Sequence, residues 1–250
     1  SSWVALAISY SGNTEETLAA YNHAIKRGCP HFIIASGGEL LSRGNSLGKV
    51  KVLRGYRPRA AFPLIFPAVL NLVECLLGLK PTDLTDIANS LSRKMMEWEN
   101  SSLSPKEFAQ ELSENIPIFI GSRHLVPVAY RAKCQMNENA KVMAFYSEIP
   151  EANHNEIESF INGNEFKILP VFLRSAYEDE RIKKRMNITT SLYGEEGYSS
   201  VRLSTSSSSV LEEMLALTLY LDLVSVELAR IRKVDAASND RISRLKNDLI

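Results

Sequence analysis

Short apolar runs without polar alternation set what this chain can fold into. Residues 3–9 (WVALAIS), 31–36 (HFIIAS), 116–121 (IPIFIG) and 166–173 (FKILPVFL) are too brief for ordinary helices. Their continuity is that of strands buried on both faces, the mark of parallel sheets covered by helices. The first run is followed by a turn and a helical stretch over 15–27. That stretch has Glu15 and Glu16 in its first turn, Lys26 and Arg27 in its last, and Gly28 as a stop. Strands over 31–36, closed by Gly37-Gly38, and 49–53 follow. Strand, helix and strand at this spacing imply a right-handed parallel βαβ unit.

The same logic recurs later in the chain. Strands are expected at 116–121, 142–146, 166–173 and 199–203, with helices over 126–140, from 156, over 178–186 and over 210–232, and a terminal helix over 241–250. Between the halves, 62–79 reads as one or two apolar helices interrupted by Pro67, and 81–100 as an amphipathic helix. Ser104-Pro105-Lys106-Glu107 is a capping box with proline at the first helical position. The fold class is therefore α/β, two sandwiches with parallel sheets joined by helices.

Composition narrows the function. Lys plus Arg and Asp plus Glu number 29 each, so no global basic field of the nucleic-acid-binding kind exists and a charged ligand must be met by a local site. No unbroken apolar run approaches the roughly 18–20 residues of a membrane span, and no signal peptide is visible, so neither a nucleic-acid nor a membrane partner is expected and a cytoplasmic home is the default. Cys29, Cys75 and Cys134 read as buried free thiols, and no metal-like His/Cys spacing occurs. Residue 1 is not Met and a central strand begins at once, which leads us to expect a preceding segment.

Ser9-Tyr10-Ser11-Gly12-Asn13-Thr14 lies where a parallel strand ends and a helix begins, the place where open α/β sheets bind ligands. A helix N-terminus offers N–H groups and partial positive charge to an anion. Ser9, Ser11 and Thr14 add hydroxyls, and Gly12 lets the backbone bend close. An ordinary helix cap would use the same residue types. No P-loop or GxGxxG pattern accompanies it. Other polar strings are Asn137-Glu138-Asn139-Ala140-Lys141 at a helix end, the 150–158 loop around His154, Arg57-Pro58-Arg59 before an apolar helix, and Lys246 in the terminal helix. Each taken alone also reads as solvated surface.

Together, SYSGNTEETL, PRAAFP, NENAK and EANHNEIE, in this order and with LK in a terminal helix, resemble the bifunctional phosphoglucose/phosphomannose isomerase family over nearly the whole chain. The resemblance implies two SIS-type αβα domains: the first over 1–80, a helical linker over 81–115, the second over 116–232, and a helix over 233–250 completing the active site. It implies an aldose–ketose isomerase of glucose 6-phosphate and mannose 6-phosphate that needs no metal or cofactor. Glu138 is then the base shuttling a proton between C1 and C2. His154 opens the ring, reaching the site from the partner of a homodimer, and Lys246 assists it. Arg59, with Arg57 as an alternative, stabilises the enediolate. Ser9, Ser11 and Thr14 hold the sugar phosphate.

Two departures qualify the resemblance. An earlier Gly-Gly-Ser loop of the family is not found, and Asp235-Ala236-Ala237-Ser238 stands where members often read D-P-T-P, a region tied to mannose 6-phosphate tolerance. Another SIS phosphosugar isomerase, for example of an amino-sugar phosphate, and a non-catalytic sugar-phosphate sensor are the rival readings.

Overall fold

The computed structural model describes residues 3–44, 46–161 and 166–249. The chain divides into two compact units, Ser1–Leu84 and Thr85–Ile250. In the first, strands β1 (Ala5–Ile8), β2 (His31–Ala35) and β3 (Gly48–Lys51) pair in parallel in the order β1-β2-β3. Helix α1 (Glu15–Lys26) joins β1 to β2, and a five-residue helix the sequence did not announce, α2 (Gly38–Ser42), follows β2. Ala7, Ile33 and Ala35 pack on Tyr21 of α1 and Leu40 of α2. Helix α3 (Phe62–Leu76) lies along β2.

The second unit holds β4 (Ile116–Ser122), β5 (Phe145–Ile149), β6 (Ile168–Leu173) and β7 (Val201–Leu203), all parallel, in the order β5-β4-β6-β7. Its helices are α4 (Thr85–Glu99), α5 (Pro105–Leu112), α6 (Val126–Gln135), α7 (Glu180–Glu195), α8 (Val210–Ile231) and α9 (Asp240–Asp248). The strand period of two sorts side chains between the faces. Phe119, Val171 and Leu173 meet α5, α6 and α8, while Ile120, Ile149 and Phe172 meet Ile182, Met186 and Tyr193 of α7. This two-sided burial is why the strands read as unbroken apolar runs, and each buried phenylalanine contributes about 1.5–3 kcal/mol. Helix α5 starts at the expected capping box: Ser104 Oγ accepts from Glu107 N, and the Glu107 carboxylate accepts from Ser104 N. Helices α4 and α5, in the segment read as a linker, pack against α8 of this unit.

Several local expectations need correction. Pro67 does not interrupt α3, which runs on through it; so early in the helix the ring removes one backbone bond and the apolar packing carries the rest. With the short turn before it, Pro58–Leu76 forms 19 residues long and apolar enough, by length and composition, to cross a membrane. The count of unbroken apolar residues missed this because Arg59, Asn71 and Glu74 interrupt the run. The helix expected from residue 156 is instead a pair of short 3-10 turns, Glu151–His154 and Glu156–Ser159. Asn155 Oδ1 accepts from Glu156 N (2.6 Å), the kind of local bond that competes with a helix. The strand placed at 142–146 begins at Phe145, because the preceding residues are spent on an irregular turn described below. Cys75 is exposed and Cys29 and Cys134 are half-buried, so the thiols are free but none is buried.

Candidate active site

The loop after β1 is a closed local structure. Ser9 is buried, and its Oγ accepts from Gly12 N (3.1 Å) and lies 2.8 Å from Thr14 Oγ1 and 3.4 Å from Ser11 Oγ. Ser11 Oγ accepts from Asn13 N (3.2 Å). Thr14 occupies the N-cap position of α1 but makes no capping bond there, so the ordinary-cap reading does not account for its hydroxyl. Gly12 has φ +75°, and a Cβ on it would stand 1.8 Å from Gly37 O. Gly38 is likewise left-handed, with its Cα against Ser11 O. Asn13 Oδ1 accepts from Glu39 N (2.8 Å) and Gly12 O from Leu40 N (2.9 Å). The loops after β1 and β2 therefore interlock. The loop after β3 joins them: Tyr10 Oη donates to Leu53 O (3.0 Å) and accepts from Tyr56 N (2.9 Å). Three hydroxyls stand together at the start of a twelve-residue helix, an arrangement able to receive the oxygens of a phosphomonoester. Arg57 is exposed and Arg59 half-buried, both at the short turn that opens α3.

In the second unit, α6 does not end in a regular turn. Met136–Ala140 forms a single π-turn carrying the half-buried Glu138, and Lys141 closes it in the left-handed region at φ +56°. Such π-turns and non-glycine left-handed residues concentrate at functional sites. Asn139 is buried and its Nδ2 donates to Ser225 Oγ of α8 (2.8 Å), which in turn donates to Asp222 O (2.6 Å). Asp222 also accepts from Arg131 Nε and Nη2 of α6, at 3.1 and 2.6 Å. Burial raises the Asp222 carboxyl above its ordinary value, opposed by Arg131. On the other side, Asn137 Nδ2 donates to Val142 O (2.8 Å). Lys141 Nζ donates to Glu138 O (2.5 Å) and Ser238 O (2.8 Å), so the turn also holds the segment leading into α9 and the exposed Lys246.

His154 is exposed, in the turn just past the C-terminal end of β5. Asn153 Nδ2 donates to Thr189 Oγ1 of α7 (2.8 Å), and Ser147 Oγ of β5 donates to the Glu156 carboxylate. Glu138 precedes β5 and His154 follows it, so the two lie toward opposite ends of a five-residue strand of about 16 Å. The structure brings Glu138 together with the base of α9 and sets His154 apart from both. Among the described residues no three His, Cys, Asp or Glu side chains cluster as metal ligands would.

Residues 103–249, more than half of the chain, match the family described as bacterial phospho-glucose isomerase C-terminal SIS domain. A bifunctional phosphoglucose/phosphomannose isomerase of Thermoplasma acidophilum is 33% identical across 96% of this chain and 74% of its own length. The chain belongs to the bifunctional phosphoglucose/phosphomannose isomerase family. A D-glucosamine-6-phosphate 4-epimerase of Sulfolobus acidocaldarius is 36% identical over 73% of this chain and 59% of its own length. In fold, the chain is similar to glucosamine-6-phosphate deaminase from Thermotoga maritima, with a TM-score of 0.70, 16% identity, and coverage of 94% of this chain and 72% of that one.

Seen as a member of this family, the chain also shows residues that motif reading passed over. Asn139, Ser225, Asn153 and Glu156 hold the segments that present Glu138 and His154. The asparagines carried a signal in flanking both residues; Ser225 carried none, being one serine in an apolar helix.

Proposed function

We propose that this chain interconverts glucose 6-phosphate and mannose 6-phosphate with fructose 6-phosphate through a cis-enediol, without a metal. The observation that carries the reading is Glu138 in a π-turn anchored on both sides, in a chain of this family. Ser9, Ser11 and Thr14 receive the phosphate. After ring opening, Glu138 takes the C2 proton and returns it to C1 as the carbonyl moves from C1 to C2. Arg59, or Arg57, faces the negative charge of the enediolate. Glucose 6-phosphate and mannose 6-phosphate differ only at C2, so both give one enediol if the C2–C3 bond rotates, and one base serves both.

His154 acts in ring opening with Lys246, and it comes from the second subunit of a homodimer. Its place past the end of β5 opposite to the Glu138 turn supports this, because one subunit does not present both groups at one end of the strand. A second reading, an amino-sugar phosphate as substrate, draws on the likeness to the 4-epimerase.

The test is a coupled assay for fructose 6-phosphate, fed in turn with glucose 6-phosphate and mannose 6-phosphate, with EDTA present. Comparable turnover of both is expected. Turnover of glucose 6-phosphate alone would trace the narrowing to the segment around Ala237 and Ser238. Turnover of neither, with conversion of glucosamine 6-phosphate followed by NMR, would favour the second reading.

A further inference from the structure

The three hydroxyls of the β1 loop carry no charge, yet a phosphomonoester is a dianion near neutral pH. The structure places a cation against Gly37, the residue packed on Gly12 of their loop, and it belongs to none of the four motifs. Arg54 follows β3, two residues past the buried Val52. Its side chain turns back over the ends of the strands, and Nε donates to Ser36 O (2.6 Å). A Cβ on Gly37 would stand 2.0 Å from Arg54 Nη2, and Gly37 O in turn fills the space beside Gly12 Cα. Guanidinium, Gly37 and Gly12 are thus stacked in contact, and a side chain at 37 would displace the guanidinium from this position. Among the described residues no carboxylate pairs with Arg54, so one of its five N–H donors is used and four are open. An unneutralised guanidinium fixed beside a hydroxyl-lined anion loop is the geometry of charge-assisted, bidentate phosphate recognition.

We propose that Arg54 is a substrate-binding residue, donating to the phosphoryl oxygens alongside Ser9, Ser11 and Thr14. This rests on the reading that the β1 loop holds the substrate's phosphate. It also assigns the fork to the dianion: the Nε bond to Ser36 aims the guanidinium, and the free Nη groups meet the ligand.

The experiment titrates inorganic phosphate into the full chain by calorimetry at pH 8 and pH 5, for wild type, R54A, R54K and T14V, with thermal unfolding run on each. R54A should bind phosphate about 10- to 100-fold more weakly at pH 8, where the dianion dominates, and lose less at pH 5, where the monoanion does. R54K, a point charge without the fork, should fall between. An equal loss at both pH values would make Arg54 a support for the Ser36 carbonyl and overturn the proposal. So would wild-type affinity in R54A while T14V is weakened, which leaves the phosphate loop standing. Unchanged binding in both T14V and R54A, or no binding by the wild type, would sink the loop reading and Arg54 with it. Should R54A unfold, the pH dependence of R54K decides alone.

Discussion

The β1 loop and the Glu138 turn solve the same problem in different ways. Each turns on a left-handed residue, Gly12 at φ +75° in one and Lys141 at φ +56° in the other, and of the two Lys141, which carries a Cβ, is in the conformation that costs energy. The β1 loop is fixed by neighbours. Its hydroxyls bond one another, and the loop after β2 locks it through Gly37, Gly38 and Glu39. The Glu138 turn is fixed from afar, through Asn139 to Ser225, 86 residues away, and through the Arg131–Asp222 pair that ties α6 to α8. On the proposed function the β1 loop receives a phosphate, which is large, symmetric and tolerant, so a short rigid cradle suffices. A proton moves over fractions of an ångström, and on the same proposal its base is positioned by the packing of α6 against α8.

Glu138→Gln should separate the two regions most sharply. The amide keeps the shape of the turn but cannot accept the C2 proton, so turnover should fall by about 10²–10⁴-fold or more while phosphate affinity stays within about twofold. Steady-state kinetics with inorganic phosphate as competitor reads both. A variant keeping most of its turnover would remove Glu138 from the mechanism. Gly12→Ala is the reverse case. A Cβ 1.8 Å from a backbone oxygen cannot be absorbed by rotating a side chain, and with a left-handed φ the loss should exceed about 2 kcal/mol. Chemical denaturation should show it, with phosphate binding lost alongside. If alanine is accepted with phosphate binding intact, the interlock of the β1 and β2 loops is not what shapes the cradle.

Asn139→Ala probes the long-range joint. It leaves the buried Ser225 hydroxyl with its donation to Asp222 O but without the bond it accepts, and frees one side of the π-turn, so about 1–3 kcal/mol of stability should go. The more telling readout is kcat, expected to fall about tenfold with KM nearly constant, because the base is loosened and the phosphate is not. A rise in KM at constant kcat would mean that the joint serves binding.

This difference also decides what the sequence could reveal. SYSGNT was legible because the loop's partners are its own residues and the next loop, and Gly12 and Thr14 carry their conformational meaning locally. NENAK was legible as a string, but the π-turn was not. A helix over 126–140 satisfies the same apolar period, and the bonds of Asn139 to α8 and of Asn137 to Val142 that accompany the π-turn cannot be read from it. The π-turn shifted β5 three residues from its expected start. The His154 segment failed as a helix for a related reason: Ser147 and Thr189, far apart in sequence, hold Glu156 and Asn153 in place of helical neighbours. Arg54 was passed over because nothing in its own stretch points back to Gly37.

The smallest effect on turnover is expected at the other end of α8, and it tests whether the comparison is about local joints or whole helices. Glu212 accepts from Ser90 Oγ (2.6 Å), Ser208 N (2.8 Å) and Ser208 Oγ (2.6 Å), tying the α8 N-terminus to α4. These hydrogen bonds, with Lys94 nearby, bring its carboxyl down to about 2. A group with a depressed folded value stabilises above its unfolded value, about 4.3, and loses that contribution as pH falls toward about 2. Glu212→Gln should therefore cost on the order of 2 kcal/mol at neutral pH. The gap between variant and wild type should close between about pH 4.3 and 2, as urea denaturation across pH would read. Turnover per folded molecule should stay unchanged, since Ser225 lies more than three helical turns further along α8. If kcat falls in step with stability, the position of Glu138 depends on how α8 as a whole is seated rather than on the Asn139 joint. The contrast between a locally built cradle and a remotely anchored base would then become one between a rigid loop and a rigid helix.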